Sequence, residues 1–189
     1  MPGDQVVKKI MTETTQQYDQ AIHSCKDIFL KKTRDYGTAW RVLRTISIVD
    51  QIFIKAQRIR TIQEKQQQRI ADDLAAEFRG IINYAVIGLM QLQLPASAPE
   101  EIPLEEVATR YDENVRTAKR LMEDKNHDYG EAWRSMSQES FVDLILMKLQ
   151  RIRQILANEG KTLVSEGIDA NYLDMINYAV FALILMEQD

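Results

Sequence analysis

Five carboxylates in the second half of the chain have the types and spacing for cation chemistry. Glu139 and Asp143 stand four residues apart on one stretch, and Glu166, Asp169 and Asp174 follow on another. Two helices that each present carboxylates toward a common cleft can hold Mg²⁺, a hard cation that prefers oxygen ligands. Such an ion could bridge phosphate oxygens and activate water. Asp143, Glu166 and Asp174 are then the expected catalytic groups, and all five carboxylates the expected metal ligands. Lys125, Lys148 and Arg151 would neutralise phosphate charge.

A second constellation is Asp128-Tyr129-Gly130-Glu131-Ala132-Trp133-Arg134. Functionally it would set Asp128 at a cation or substrate, Tyr129 or Trp133 against a planar base, and Arg134 on a phosphate. Structurally, the glycine would end a helix in a left-handed conformation, the aspartate would cap backbone N–H groups, and the tryptophan would plug the core. Asn177 shares a face with Asp174 and Tyr178. A buried Asn must find hydrogen-bond partners, so Asn177 is a candidate substrate contact. Asp143 interrupts the apolar run Phe141–Leu146, and such a carboxylate lies on a narrow polar stripe or is buried with a partner. Lys148 and Arg151, like Lys55 and Arg58, stand three apart. They can pair with carboxylates across helices or hold phosphates. The alternative to an enzyme is a helical scaffold or partner-binding module whose motifs serve packing.

The elements that position these residues come in two copies. Tyr18-Asp19 recurs as Tyr111-Asp112, Asp35–Arg41 as Asp128–Arg134, and Lys55–Arg60 as Lys148–Arg153, all at an offset of 93; about 20 of 45 positions match between Tyr18–Ile62 and Tyr111–Ile155. After a one-residue slip, Ile82–Val86 matches Ile176–Val180. Residues 1–93 form the first repeat and 104–189 the second. Three of the four prolines lie in the intervening stretch 94–103, which predicts an extended linker. Each repeat offers three helices: about 12–32, 46–63 and 67–91, then 104–125, 138–157 and 169–188. The third helix is apolar on nearly every side, so it belongs at a centre. The expected fold is all-α: duplicated three-helix repeats packed as one pseudo-twofold six-helix bundle. The repeats differ chemically, because Gly80 stands where the second has Asp174 and Ile46 where it has Glu139. The first repeat still contains Asp72, Asp73 and Glu77.

Composition narrows the classes. Seven Gly and four Pro leave little material for β turns, and one Cys excludes a disulfide scaffold or thiolate zinc site and fits a reducing cytoplasm. The polar stretch Met1–Ile10 reads as no signal peptide, and the longest apolar run, Ala179–Met186, is too short to span a bilayer. The net charge of −4 divides unevenly, with 14 basic against 10 acidic residues in 1–93 and 10 against 18 in 94–189. That balance argues against a duplex nucleic-acid binder and directs attention to the second repeat. His23, His127 and Cys25 have no matching counterparts; the expectation is a surface residue for His127 and a small core residue for Cys25.

On Lys125-x-x-Asp128-Tyr129-Gly130-x-Ala132-Trp133-Arg134, Lys148-x-x-Arg151-Ile152 and Glu166-x-x-Asp169 leading to Leu173–Ala179, the chain resembles the bacterial nucleotide-modification-associated domain family. The resemblance covers the second repeat almost fully and the first less completely. It implies a role linked to nucleotides or modified bases. More remotely, the chain resembles the all-α nucleoside triphosphate pyrophosphatases of the MazG and dimeric dUTPase kind. Those hold Mg²⁺ with Glu-x-x-Glu and Glu-x-x-Asp motifs and release pyrophosphate. Glu166-x-x-Asp169 fits the second motif, while Glu139-x-x-x-Asp143 departs from the first. The expected partner is a nucleotide or modified nucleotide, with Mg²⁺ as cofactor and no membrane; self-association into a homodimer is left open.

Overall fold

Apolar residues at helical spacing recur at equivalent positions in the two repeats. Ile48, Val49, Ile52, Ala56 and Ile59 are buried on one helix, and Phe141, Val142, Ile145, Leu149 and Ile152 on its counterpart. The computed structural model describes residues 1–65, 71–163 and 165–188. It contains α1 (Pro2–Tyr36), α2 (Thr45–Lys65), α3 (Ala71–Gln93), α4 (Leu104–Tyr129), α5 (Gln138–Ala157) and α6 (Ile168–Gln188). Short 3₁₀ turns, Ala39–Val42 and Ala132–Ser135, separate the first two helices of each repeat. Among the described residues there is no strand.

The third helices form the centre. α3 and α6 pack against each other, α2 and α5 flank them, and α1 and α4 lie across both. From Asn171 to Ile184 only Leu173 and Tyr178 are not fully buried. Each large apolar side chain removed from water there contributes about 2 kcal/mol. α6 is long and apolar enough to cross a membrane by length and composition alone, yet most of it is buried inside the bundle. Gly88 permits the close approach of α3 and α6, since any side chain at that position would collide with the Tyr172 ring.

Several boundaries differ from expectation. α1 begins at Pro2, ten residues early, with proline at a helix start, where its missing N–H costs nothing. α1 and α4 run four residues past Lys32 and Lys125, because nothing stops them before Gly37 and Gly130, each at φ +66°. Asp128 and Tyr129 therefore ride on the last turn of α4 instead of a loop. The expected start of the third helix at residue 67 lies outside the described residues, as do the side chains of Asp72 and Asp73. The proline-rich stretch, expected to be extended, contains a turn in which Ala98 N–H donates to the Pro95 carbonyl at 2.9 Å, and it is fastened: Ile102 N–H donates to Thr38 Oγ1 at 3.1 Å, and Leu94 and Ile102 are buried.

Candidate functional site

The polar residues divide into two sets. The first set reaches across the pseudo-twofold. Tyr18 OH donates to Asn177 Oδ1 at 2.7 Å, and Asn177 Nδ2 donates to the Ala118 carbonyl at 2.9 Å. Reciprocally, Tyr111 OH donates to Asn83 Oδ1 at 2.8 Å, and Asn83 Nδ2 donates to the Cys25 carbonyl at 3.1 Å. Lys26 pairs with Asp112 and Lys119 with Asp19, both at 2.8 Å. Arg153 meets Asp50 at 3.1 Å and Arg60 meets Asp143 at 3.9 Å. Asn177, expected at substrate, is thus engaged on both its amide oxygen and its nitrogen in joining the repeats. Asp143, expected to ligate metal, lies 61% exposed opposite Arg60.

Arg134 is likewise occupied. Its guanidinium bonds Glu131, Thr14 and Gln17, each at 2.7 Å, and covers the Trp133 ring. The equivalent Arg41 binds the carbonyls of Pro99 and Ala98 in the linker. In both repeats the motif arginine ties its 3₁₀ turn to the other half of the molecule or to the connecting chain. It is not free to meet a phosphate.

The second set does not serve the interface. Lys125 of α4 and Lys148 of α5 grip Asp174 of α6, with Nζ–Oδ1 at 3.0 Å and Nζ–Oδ2 at 2.7 Å. Asp174 is 6% exposed and Lys148 8%. Burial alone would depress the Lys125 ammonium; its hydrogen bond and attraction to Asp174 oppose that and leave its pKa raised, with Glu166 adding to the rise. Burial, then the Asp174 charge, raises the Tyr178 phenol, while Lys125 and Arg151 pull it back. The structure therefore gathers Lys125, Arg151 and Asp174 around Tyr178, with Lys148 closed on Asp174 and Glu166 near enough to Lys125 to raise it. Beside them runs a groove of about 1110 Å³, bordered by Lys148, Arg151, Lys161, Ser165 and Glu166. Lys161 and Tyr178 are not among the site residues expected from sequence; the i, i+4 spacing of Asp174 and Tyr178 is a signal for the tyrosine, and no spacing ties Lys161 to the cluster.

Other expected residues stand apart. Glu139 and Asp169 are exposed at the starts of α5 and α6. Asp128 is exposed beside His127 at 3.3 Å, without capping a helix. Tyr129 is 79% exposed at the mouth of a small cleft of about 130 Å³. Trp133 closes that cleft from within, stacked on Phe181 at 4.2 Å between centroids with the planes 7° apart. Among the described residues, no group of three or more His, Cys, Asp or Glu side chains converges to hold a metal. Both Asp174 oxygens are already held by ammonium groups. Among the described residues, the carboxylates as arranged therefore do not fit a resident Mg²⁺.

The first repeat has the equivalent cleft, lined by Lys32, Tyr36, Trp40, Lys55, Gly80 and Tyr84, and it is larger, at about 560 Å³. The signal for it lay in the repeat alignment, at Gly80 opposite Asp174 and Ile87 opposite Phe181.

Fold and site together define an internally duplicated all-α protein with an equivalent cleft in each repeat. The nucleotide modification associated domain 1 family matches the chain twice, over residues 32–92 and 125–186, and the chain belongs to that family. Each matched span opens on a cleft lysine, Lys32 or Lys125, and ends in the third helix of its repeat. Among curated proteins and among solved structures, nothing matches the chain.

Proposed function

We propose that the protein binds a nucleotide in the groove of the second repeat, with Lys125, Lys148 and Arg151 on its phosphates. The observation that carries this is Lys148, which borders the groove and closes at 2.7 Å on the buried Asp174 carboxylate that Lys125 holds from the adjoining small cleft. One carboxylate cannot neutralise two lysines, and Arg151 adds positive charge against Glu166, while Lys161 stands 3.6 Å from Glu159. A concave site of this size with surplus positive charge suits a phosphorylated small molecule. Asp174 acts as a positioning residue that orients the lysines. Family membership supports nucleotides as the ligand class. Magnesium enters as the counter-ion of the nucleotide's phosphates, not as a cation caged by protein carboxylates. Glu166, which borders the groove, is the candidate base for phosphohydrolase chemistry.

Calorimetric titration with deoxynucleoside triphosphates, with and without Mg²⁺, tests the reading. Saturable binding is expected, and Arg151→Ala or Lys148→Met should weaken it by about tenfold or more, the worth of one charge-assisted hydrogen bond. Absence of binding at millimolar ligand refutes it and favours the scaffold alternative, which already accounts for Asn177 and Arg134. Pyrophosphate release that is lost in Glu166→Gln, with affinity retained, would extend binding to catalysis.

A further inference from the structure

The second repeat fills its cleft with its own side chains, and the first repeat lacks both of them. In the second, Phe181 lies flat on Trp133, while Asp174, two turns earlier on α6, places its carboxylate between Lys125 and Lys148. Seven residues along a helix separate ring and carboxylate by about 10 Å of rise. The first repeat keeps the receptors for both groups: Trp40 for the ring, and Lys32 and Lys55 for the anion. It replaces the occupants with Ile87 and Gly80, and the cleft opens from about 130 to about 560 Å³.

We infer that the first-repeat cleft binds a planar aromatic ring carrying an anionic group, with a nucleoside monophosphate as the representative ligand. The ring takes the place that Phe181 holds against Trp133, and the anion takes the place of the Asp174 carboxylate. This does not depend on the second-repeat groove binding anything.

The charges agree with this assignment. Lys32 makes no hydrogen bond or ion pair among the described residues. Lys55 stands 3.6 Å from Glu77, a carboxylate that Arg58 already holds at 2.6 Å. Its counterpart Lys148, by contrast, is closed on Asp174 at 2.7 Å. Lys55 also lies 5.9 Å from the centroid of the Tyr84 ring, so its ammonium remains at the cleft wall. A Cβ added at Gly80 would come within 2.8 Å of Lys55 Cε, so the lysine stem lies across the space that a side chain would occupy. That stem is flexible and can swing aside to place its ammonium on an incoming anion. The volume lies within the range of small-molecule sites.

The chain has two tryptophans, so Trp133→Phe leaves Trp40 as the sole indole and makes its fluorescence a reporter of this cleft alone. Thymidine 5′-monophosphate should quench it saturably, with thymidine or inorganic phosphate weaker by about tenfold or more, because each supplies only one of the two contacts. Gly80→Asp, which rebuilds the second repeat's internal anion, should abolish quenching in a protein whose circular dichroism stays helical. If that variant does not fold, Lys32→Ala/Lys55→Ala decides, and quenching must weaken by about tenfold or more. No saturable quenching at millimolar monophosphate, or quenching that survives these variants, overturns the inference. Arg151→Ala separates the two sites, since it should weaken groove binding by calorimetry and leave Trp40 quenching intact.

Discussion

Asp174→Ala is the perturbation whose consequence the structure fixes best. The substitution removes the carboxylate held at 2.7 Å by Lys148 and 3.0 Å by Lys125. Lys125 has a half-exposed side chain and can turn its ammonium to water, so its share is screened and small. Lys148 is 8% exposed, and the substitution leaves it charged without its carboxylate partner. Stranding one member of a buried pair costs about 3–5 kcal/mol, and the nearby groove, which gives Lys148 some access to water, sets the expectation near the lower end, about 3 kcal/mol. For a chain of this length that corresponds to a fall in Tm of about 6–12 °C. Lys148→Met removes the buried charge itself and leaves Asp174 with Lys125, so it should cost about 1 kcal/mol or less. In the double variant Asp174→Ala/Lys148→Met there is no stranded charge. It should be more stable than Asp174→Ala alone, a coupling of about 1–2 kcal/mol. Thermal and urea unfolding followed by circular dichroism measure all three. Equal, additive losses from the two single substitutions would refute the assignment of a buried, mutually dependent pair.

The reciprocal phenol–amide contacts give a symmetric expectation. Tyr18→Phe and Tyr111→Phe each leave an Asn oxygen without its donor and should each cost about 1–2 kcal/mol by urea unfolding, without altering nucleotide affinity. The rim pair Arg60–Asp143 is exposed, so Arg60→Ala should change stability by less than about 1 kcal/mol, whereas Arg153 is 26% exposed and also covers the Phe53 ring at 4.5 Å, so Arg153→Ala should cost more, about 1–2 kcal/mol. Alkaline pH should unfold the protein. Burial pushes the Tyr18, Tyr111 and Tyr172 phenols well above their ordinary value, so above pH about 10 the unfolded chain releases protons that the folded one retains. Stability is then unaffected by these groups below that pH and falls as pH rises beyond it. A spectrophotometric titration should show these phenols ionising together with loss of helix. Burial also pushes the Cys25 thiol up to about 12, so a thiol reagent at neutral pH should modify it only as fast as the chain opens.

The duplication explains why a motif conspicuous in the sequence proves largely architectural. A pseudo-twofold bundle needs each interface contact made twice, so residues that cross between repeats must occur in both: Tyr18 and Tyr111, Asn83 and Asn177, Lys26 and Lys119, Arg60 and Arg153. Repetition therefore marks the interface as readily as it marks a site. Cleft residues are under no such requirement, and it is there that the repeats diverge, at Gly80 against Asp174 and Ile87 against Phe181.

The sequence by itself determined the helical class, the two repeats and the central place of the third helices. Those properties follow from local periodicity and an offset of 93, which a linear string displays directly. Only the tertiary structure decided which partner each charge takes. Asp143 lies five residues from Lys148 and four from Glu139 along the chain, yet its helix face turns it to Arg60 of the other repeat, while Asp174 turns to Lys125 and Lys148. A helix face fixes a direction, but the neighbour met in that direction depends on how six helices cross. For the same reason the five expected carboxylates do not converge: Asp143 and Asp174 enter ion pairs and Glu139, Glu166 and Asp169 stand exposed, while the larger of the two equivalent clefts lies in the first repeat.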